Sequence, residues 1–167
     1  MAVKPRLSFS LLIAAVLVAA PARAAGLAEA QVRAFFSQQE RAWNAGALDA
    51  YFKAFQPDAV FTDQYRTPAG AIVPYGSSTL PQARAQTRKF RATSKVSEAG
   101  EIVQITLGAD GRTARVRARV VSRIQGPKGL RVTCAERRQD LVLVAGQVRS
   151  KGQTDTFLPC SRKAGAP

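Results

Sequence analysis

The chain of 167 residues contains no histidine, one methionine, one tryptophan and two cysteines. Without histidine there is no side chain whose ordinary pKa lies near neutrality, which removes every mechanism that needs an imidazole base. The common zinc sites lose half their ligands for the same reason, so no metal or cofactor is expected. A glycine-rich phosphate cradle, a Cys-x-x-Cys pair and a Ser/His/Asp arrangement are also missing, which sets aside serine hydrolases and metalloenzymes. Acids are scarce: 11 Asp and Glu stand against 25 Lys and Arg, a formal charge of +14. Past the amino-terminal segment, no apolar run approaches the roughly 20 residues that a membrane-spanning helix takes.

That segment is set apart from the rest. Lys4 and Arg6 make a basic start, Leu11 to Ala20 is apolar, and Ala22-Arg23-Ala24 supplies the small-x-small pattern of a signal peptidase site. A signal peptide over 1–24, cleaved after Ala24, is therefore expected, and a periplasmic or secreted protein with no membrane attachment after cleavage. Removing Lys4, Arg6 and Arg23 leaves a charge of 14 − 3 = +11. Such an excess favours a small anionic ligand or an acidic partner, or belongs to a generally basic, well-solvated protein. In an exported chain a lone cysteine pair reads as a disulfide, Cys134 to Cys160.

Hydrophobic residues at 46% and charged residues at 22% fit one globular domain, placed over 25–160, with 161–167 as a frayed tail. From Leu27 to Asn44, Val32, Phe35, Phe36, Ala42 and Trp43 fall on one helical face, and Gln39 shares it. Asn44-Ala45-Gly46 breaks that helix. A short second helix carries Leu48, Tyr51, Phe52 and Phe55, and Pro57-Asp58 is expected to end it. Ala59-Val60-Phe61-Thr62 reads as a strand that delivers Asp63. Residues 64–78 read as a loop with a possible short hairpin. Ser78 or Thr79 would cap a third helix with Pro81 in its first turn. Its inner face is Leu80, Ala83, Thr87 and Phe90.

After Thr93 the period changes to two. One strand region covers 96–107, and Asp110-Gly111 signals a hairpin. In the next strand, 113–125, Val116, Ala118, Val120, Ser122 and Ile124 share one face and Arg115, Arg117, Arg119 and Arg123 the other. Strands over 130–144 and 147–157 follow, with a turn at Ala145-Gly146. That turn brings Cys134 opposite the neighbourhood of Phe157. A glycine-bulge loop at Pro127-Lys128-Gly129 would set Gly126 opposite Leu130, Ile124 opposite Val132 and Arg119 beside Arg137, with Glu136 turned inward. Basic faces that bind nucleic acid usually interleave aromatics, and this one has none, so no nucleic acid is expected. A solvated outer face or a homodimer surface fits it better.

Helices followed by a run of strands is an α+β pattern. The helix-break-helix-strand opening from Trp43 to Asp63 resembles that of the nuclear transport factor 2-like superfamily, which includes SnoaL-like cyclases, ketosteroid isomerases and non-catalytic binding modules. The resemblance implies helices packed in a strongly curved antiparallel sheet that forms a cone-shaped cavity, a cystatin-like roll. It also implies that Asp63 resembles the catalytic base of the isomerases. Their phenol donor falls at Gln39, and their protonated acid falls near Arg138 or Gln139. Both donors have changed chemical type, so a binder that does not turn its ligand over is expected ahead of an isomerase, cyclase or dehydratase. The expected pocket residues are Gln39, Trp43, Tyr51, Tyr65, Glu136 and Arg138.

Overall fold

A computed structural model of the chain describes residues 26–160. The signal segment expected over 1–24 and the tail expected over 161–167 lie outside the described residues. The first helix, α1 (Glu29–Asn44), buries Val32, Phe35, Phe36 and Gln39, the stripe that its spacing lays down. Its last residue is pinned to a strand. Asn44 Nδ2 donates to the Glu98 carbonyl, and Asn44 Oδ1 accepts from the Glu98 N–H, both at 2.7 Å. Gly46 then takes a left-handed φ of 69°, which turns the chain into α2 (Leu48–Lys53).

The remaining elements are β1 (Phe55–Arg66), β2 (Ile72–Thr79), α3 (Leu80–Thr93), β3 (Lys95–Leu107), β4 (Thr113–Gly126), β5 (Gly129–Val144) and β6 (Gln147–Leu158). They form one six-stranded sheet in the order β2-β1-β6-β5-β4-β3. Neighbours are antiparallel except β1 and β6, which run parallel. The fold is α+β, with the amino-terminal helix packed on a curved, unclosed sheet. Thr79 precedes α3 as expected, and its N–H donates to Gln82 Oε1 at 2.9 Å. The expected disulfide is present, with Cys134 and Cys160 Cα atoms 5.2 Å apart. Cys134 stands opposite Leu158 in the β5–β6 ladder.

Two segments differ from the sequence reading. Pro57 and Asp58 do not end α2; they lie inside β1. The β1–β6 register shifts between Phe55 and Val60, so proline, which has no N–H to give, occupies an irregular stretch of ladder. The hairpin expected within 64–78 is present, but it takes up most of the expected loop: β1 runs on to Arg66 and 72–79 form the edge strand β2. Pro74 sits there at a bulge opposite Gln64, a position where a ladder tolerates proline.

The third difference moves side chains. β4 and β5 pair Gly126 with Gly129, Arg123 with Val132 and Arg119 with Glu136, one residue away from the expected register. A one-residue shift exchanges the two faces of a strand. Arg137 and Gln139 therefore join the inner row of β5, while Glu136 and Arg138 turn outward. Electrostatics favours this pairing: Glu136 meets Arg119 across the ladder, and Arg115 Nε donates to Asp140 at 2.7 Å. The expected register would have left Glu136 facing the interior unpaired.

Two apolar clusters fill the interior. One lies under α1 and joins Val32, Phe35 and Phe36 to Val116, Ala118 and Leu141. The other gathers Tyr51, Phe52, Phe55, Ala59 and Ala83 between α2, β1 and α3. The helix α1 approaches β3 closely at Gly100, where an added Cβ would stand 2.8 Å from Phe36 Cε1. Only glycine fits that contact. A cavity remains between the helices and the sheet.

Candidate functional site

The cavity has a volume of about 290 Å³. Its walls come from every layer: Trp43 and Tyr51 from the first two helices, Phe61 and Asp63 from β1, Phe90 from α3, and Val120, Ala135 and Phe157 from the sheet. Aromatic and aliphatic side chains dominate the walls, and polar groups gather on one row of the sheet. In that row Asp63 of β1 stands beside Asp155 of β6, and Asp155 beside Arg137 of β5.

Arg137 is the hub of a buried ion cluster. Its Nη1 donates to Glu98 Oε1 at 2.5 Å, its Nε to Asp155 Oδ1 at 2.8 Å and its Nη2 to Asp155 Oδ2 at 2.9 Å. All three side chains are nearly closed to solvent, at 7–11% exposure. Ser122 Oγ donates to the second Glu98 oxygen at 3.1 Å, and Gln153 Nε2 to Asp155 Oδ2 at 3.0 Å. Gln153 Oε1 in turn accepts from the Tyr51 hydroxyl at 3.1 Å and from Gln139 Nε2 at 2.8 Å. Burial works against the Arg137 charge, but Asp155 and Glu98 more than restore it, so the guanidinium stays protonated. Burial likewise pushes the Tyr51 phenol well above its usual range. Neither group gains or loses a proton near neutrality.

Asp63 is different. It lines the cavity, is exposed on one side, and its carboxylate makes no hydrogen bond or ion pair among the described residues. Desolvation raises its pKa first and the neighbouring Asp155 charge second, with Arg137 partly offsetting both. Tyr75, exposed nearby, is raised by burial and then by Asp63 and Asp155, and lowered by Arg131.

Among the other expected pocket residues, Trp43 and Tyr51 line the cavity. Tyr65 lies outside it, exposed and 6.2 Å from the Tyr75 ring. Gln39 is buried but faces a second, more open cleft of about 550 Å³ between α1, α2 and the start of β6, with Phe35, Lys53 and Arg149. Glu136 is on the outer face, ion-paired with Arg66 at 2.9 Å. Arg138 is exposed on that face opposite Arg117. Asp63 lines the cavity, but Gln39, Glu136 and Arg138, the groups that isomerase-like catalysis would have drawn its partner from, do not join it there. Sequence reading missed Glu98, Arg137, Asp155 and Gln153. The loop at Pro127-Lys128-Gly129 did not reveal them, because its residues suit a three-residue bulge as well as the two-residue turn that is present.

No family model matches the chain, and no curated protein matches it either. Solved structures do. A ketosteroid isomerase-like protein from Erwinia carotovora atroseptica is 13% identical, with a TM-score of 0.62 over 78% of this chain and 96% of its own. An NTF-2-like protein of unknown function from Shewanella oneidensis is 16% identical, with a TM-score of 0.54 over 76% of this chain and 97% of its own. A protein with a cystatin-like fold from Nostoc punctiforme is 10% identical, with a TM-score of 0.55 over 81% and 94%. This is the nuclear transport factor 2-like fold. At these identities the likeness concerns architecture, and the chemistry of the nuclear transport factor 2-like cavity must be read from its own lining.

Proposed function

We propose that the protein binds a small, largely apolar molecule in the cavity without turning it over. The observation that carries this reading is the state of the cavity's polar row. Glu98, Arg137, Asp155, Gln153 and Tyr51 bond to one another, which leaves no paired acid and base poised over the apolar space. A volume of about 290 Å³ lies at the lower end of small-molecule pockets, roughly 300–1,000 Å³. Export is part of the proposal; it rests on the amino-terminal pattern, and the disulfide supports an oxidising compartment.

Trp43 is the only tryptophan and lines the cavity, so its emission reports on occupancy. A neutral aromatic probe such as tert-butylbenzene should shift or quench it saturably. Native mass spectrometry of exported protein should show a co-purified small molecule. Ala135→Phe, which fills the cavity from β5, should abolish both signals. A folded protein that carries no ligand and does not respond to the probe would defeat the reading.

A second reading has one observation in its favour: Asp63 is unpaired, lines the cavity and holds its proton more tightly than an ordinary carboxyl. It is the one group placed to act as a general base toward an enolisable substrate. Turnover that disappears in Asp63→Asn with the fold unchanged would establish it.

A further inference from the structure

We propose that the cavity's ligand carries a positive head, an amine or quaternary ammonium, and that Asp63 is its counter-ion. This rests on the binding reading above and adds the charge of the ligand, reversing the anionic ligand that the composition favours.

The charges that line the cavity are Asp63, Glu98 and Asp155 against Arg131 and Arg137. The sum is 2 − 3 = −1, inside a chain whose total is +14. The two cations are not equivalent. Arg137 is held between Glu98 and Asp155, so the buried trio is itself one charge negative. Arg131 of β5 and Asp63 are both exposed, so water and salt screen each of them. The buried trio is not screened in that way, and a ligand inside therefore meets a net negative charge.

Asp63 differs from the other acids that line the cavity. Glu98 and Asp155 both hold Arg137, and Asp63 holds no arginine among the described residues. Its neighbour across the parallel ladder is another acid, Asp155. Like charges side by side on a sheet repel unless a cation comes between or near them. An anionic ligand would add to that repulsion, and a cation would relieve it.

The walls point the same way. Trp43, Tyr51, Phe52, Phe61, Phe90 and Phe157 all line the cavity, and aromatic faces attract cations through their quadrupoles. One such contact already exists beside it, with the Arg91 guanidinium 5.3 Å from the Trp43 ring centroid. Apolar aromatic walls with one unpaired carboxylate near the opening suit a ligand with an apolar body and a cationic end.

The test follows Trp43 emission during titration with three probes of similar size: phenyltrimethylammonium, its neutral isostere tert-butylbenzene, and benzenesulfonate. The cation should bind about tenfold more tightly than the isostere, the order expected of a partly desolvated charge contact. The sulfonate should bind weakest. Asp63→Asn should bring cation and isostere to near-equal affinity without weakening the isostere, and Asp63→Glu should keep the preference. Asp63→Ser serves if the asparagine variant does not fold. Isostere binding as tight as the cation, or a preference that survives loss of the carboxylate, overturns the assignment and leaves the binding reading standing. No response to any probe defeats both.

Discussion

Replacing Arg137 with methionine tests whether the ion trio is the internal frame of the cavity. The guanidinium makes four bonds to Glu98 and Asp155, at 2.5, 3.3, 2.8 and 2.9 Å. Methionine matches its length and apolar stem but leaves two buried carboxylates facing each other. Removing one partner of a buried ion pair typically costs about 3–5 kcal/mol, because the charge left behind is uncompensated. For a chain of this size that corresponds to a fall in Tm of about 10–15 °C. The loss should depend on pH in a definite direction. Carboxylates left unpaired hold their protons more tightly in the folded variant than in its unfolded chain. The penalty is therefore full at neutral pH and shrinks as pH falls and they protonate. The double variant Arg137→Met with Glu98→Gln should recover part of the loss at pH 7, since only one unpaired acid remains. Urea melts of the three proteins between pH 4 and 8 supply the measurement. A single variant within about 1 kcal/mol of the parent at pH 7, the range of an exposed ion pair, would refute the trio as a buried frame.

Cleavage of the Cys134–Cys160 bond, which closes a loop of 26 residues, should cost about 3.5 kcal/mol on the chain-entropy account; free-thiol titration of the denatured, unreduced protein should find none. Gly100→Ala puts a methyl 2.8 Å from Phe36, and urea melts should show a loss of roughly 1–3 kcal/mol, the usual cost of overpacking. Amino-terminal sequencing of exported protein should begin at Ala25. Asp63→Asn should melt no lower than the parent at pH 7, because a carboxyl whose folded pKa is raised loses stability as pH rises through that value; the difference should close in thermal melts below about pH 4.

The helical half of the fold was legible because its signals are local. The α1 stripe, the break at Gly46, the Thr79 cap and the aromatic cluster of α2 each follow from residues three or four apart. β4 was legible for a similar reason: its Ala and Val positions alternate with arginines, so one face had to be inside. β5 offers no such contrast. Thr133, Ala135, Arg137, Gln139 and Leu141 form one row, and Cys134, Glu136, Arg138, Asp140 and Val142 form the other. Each row mixes apolar and charged residues, so periodicity could not choose between them. The choice is made by partners on other strands, Glu98 on β3 and Asp155 on β6, whose positions depend on the register being sought. The same circularity hid the site, because Arg137 reads as a surface arginine until the two acids that enclose it are placed. The parallel β1–β6 pairing was equally invisible, since it joins segments that are some ninety residues apart in the chain, as Asp63 and Asp155 are.

Placement of the charge explains how a strongly basic chain keeps an interior of the opposite sign. On β4 the arginines alternate outward, where water carries most of the cost of their repulsion. On β5 the buried guanidinium of Arg137 is over-neutralised by two acids, Asp155 of the adjacent β6 and Glu98 of β3. With those bonds formed, the one carboxylate of the cavity lining that has no ion-pair partner among the described residues is Asp63, at the position where β1 shifts register against β2 between Asp63 and Gln64. A binding protein and an isomerase-like enzyme could both use a carboxylate there, but they ask different things of its surroundings. An enzyme needs a donor across the cavity to hold the oxygen that gains charge. The Tyr51 hydroxyl is committed to Gln153 and Arg137 to two acids, which leaves the Trp43 indole N–H as a buried donor of the lining without a partner among the described residues. A binder needs only that Asp63 remain unpaired until the ligand arrives, and among the described residues that is its state.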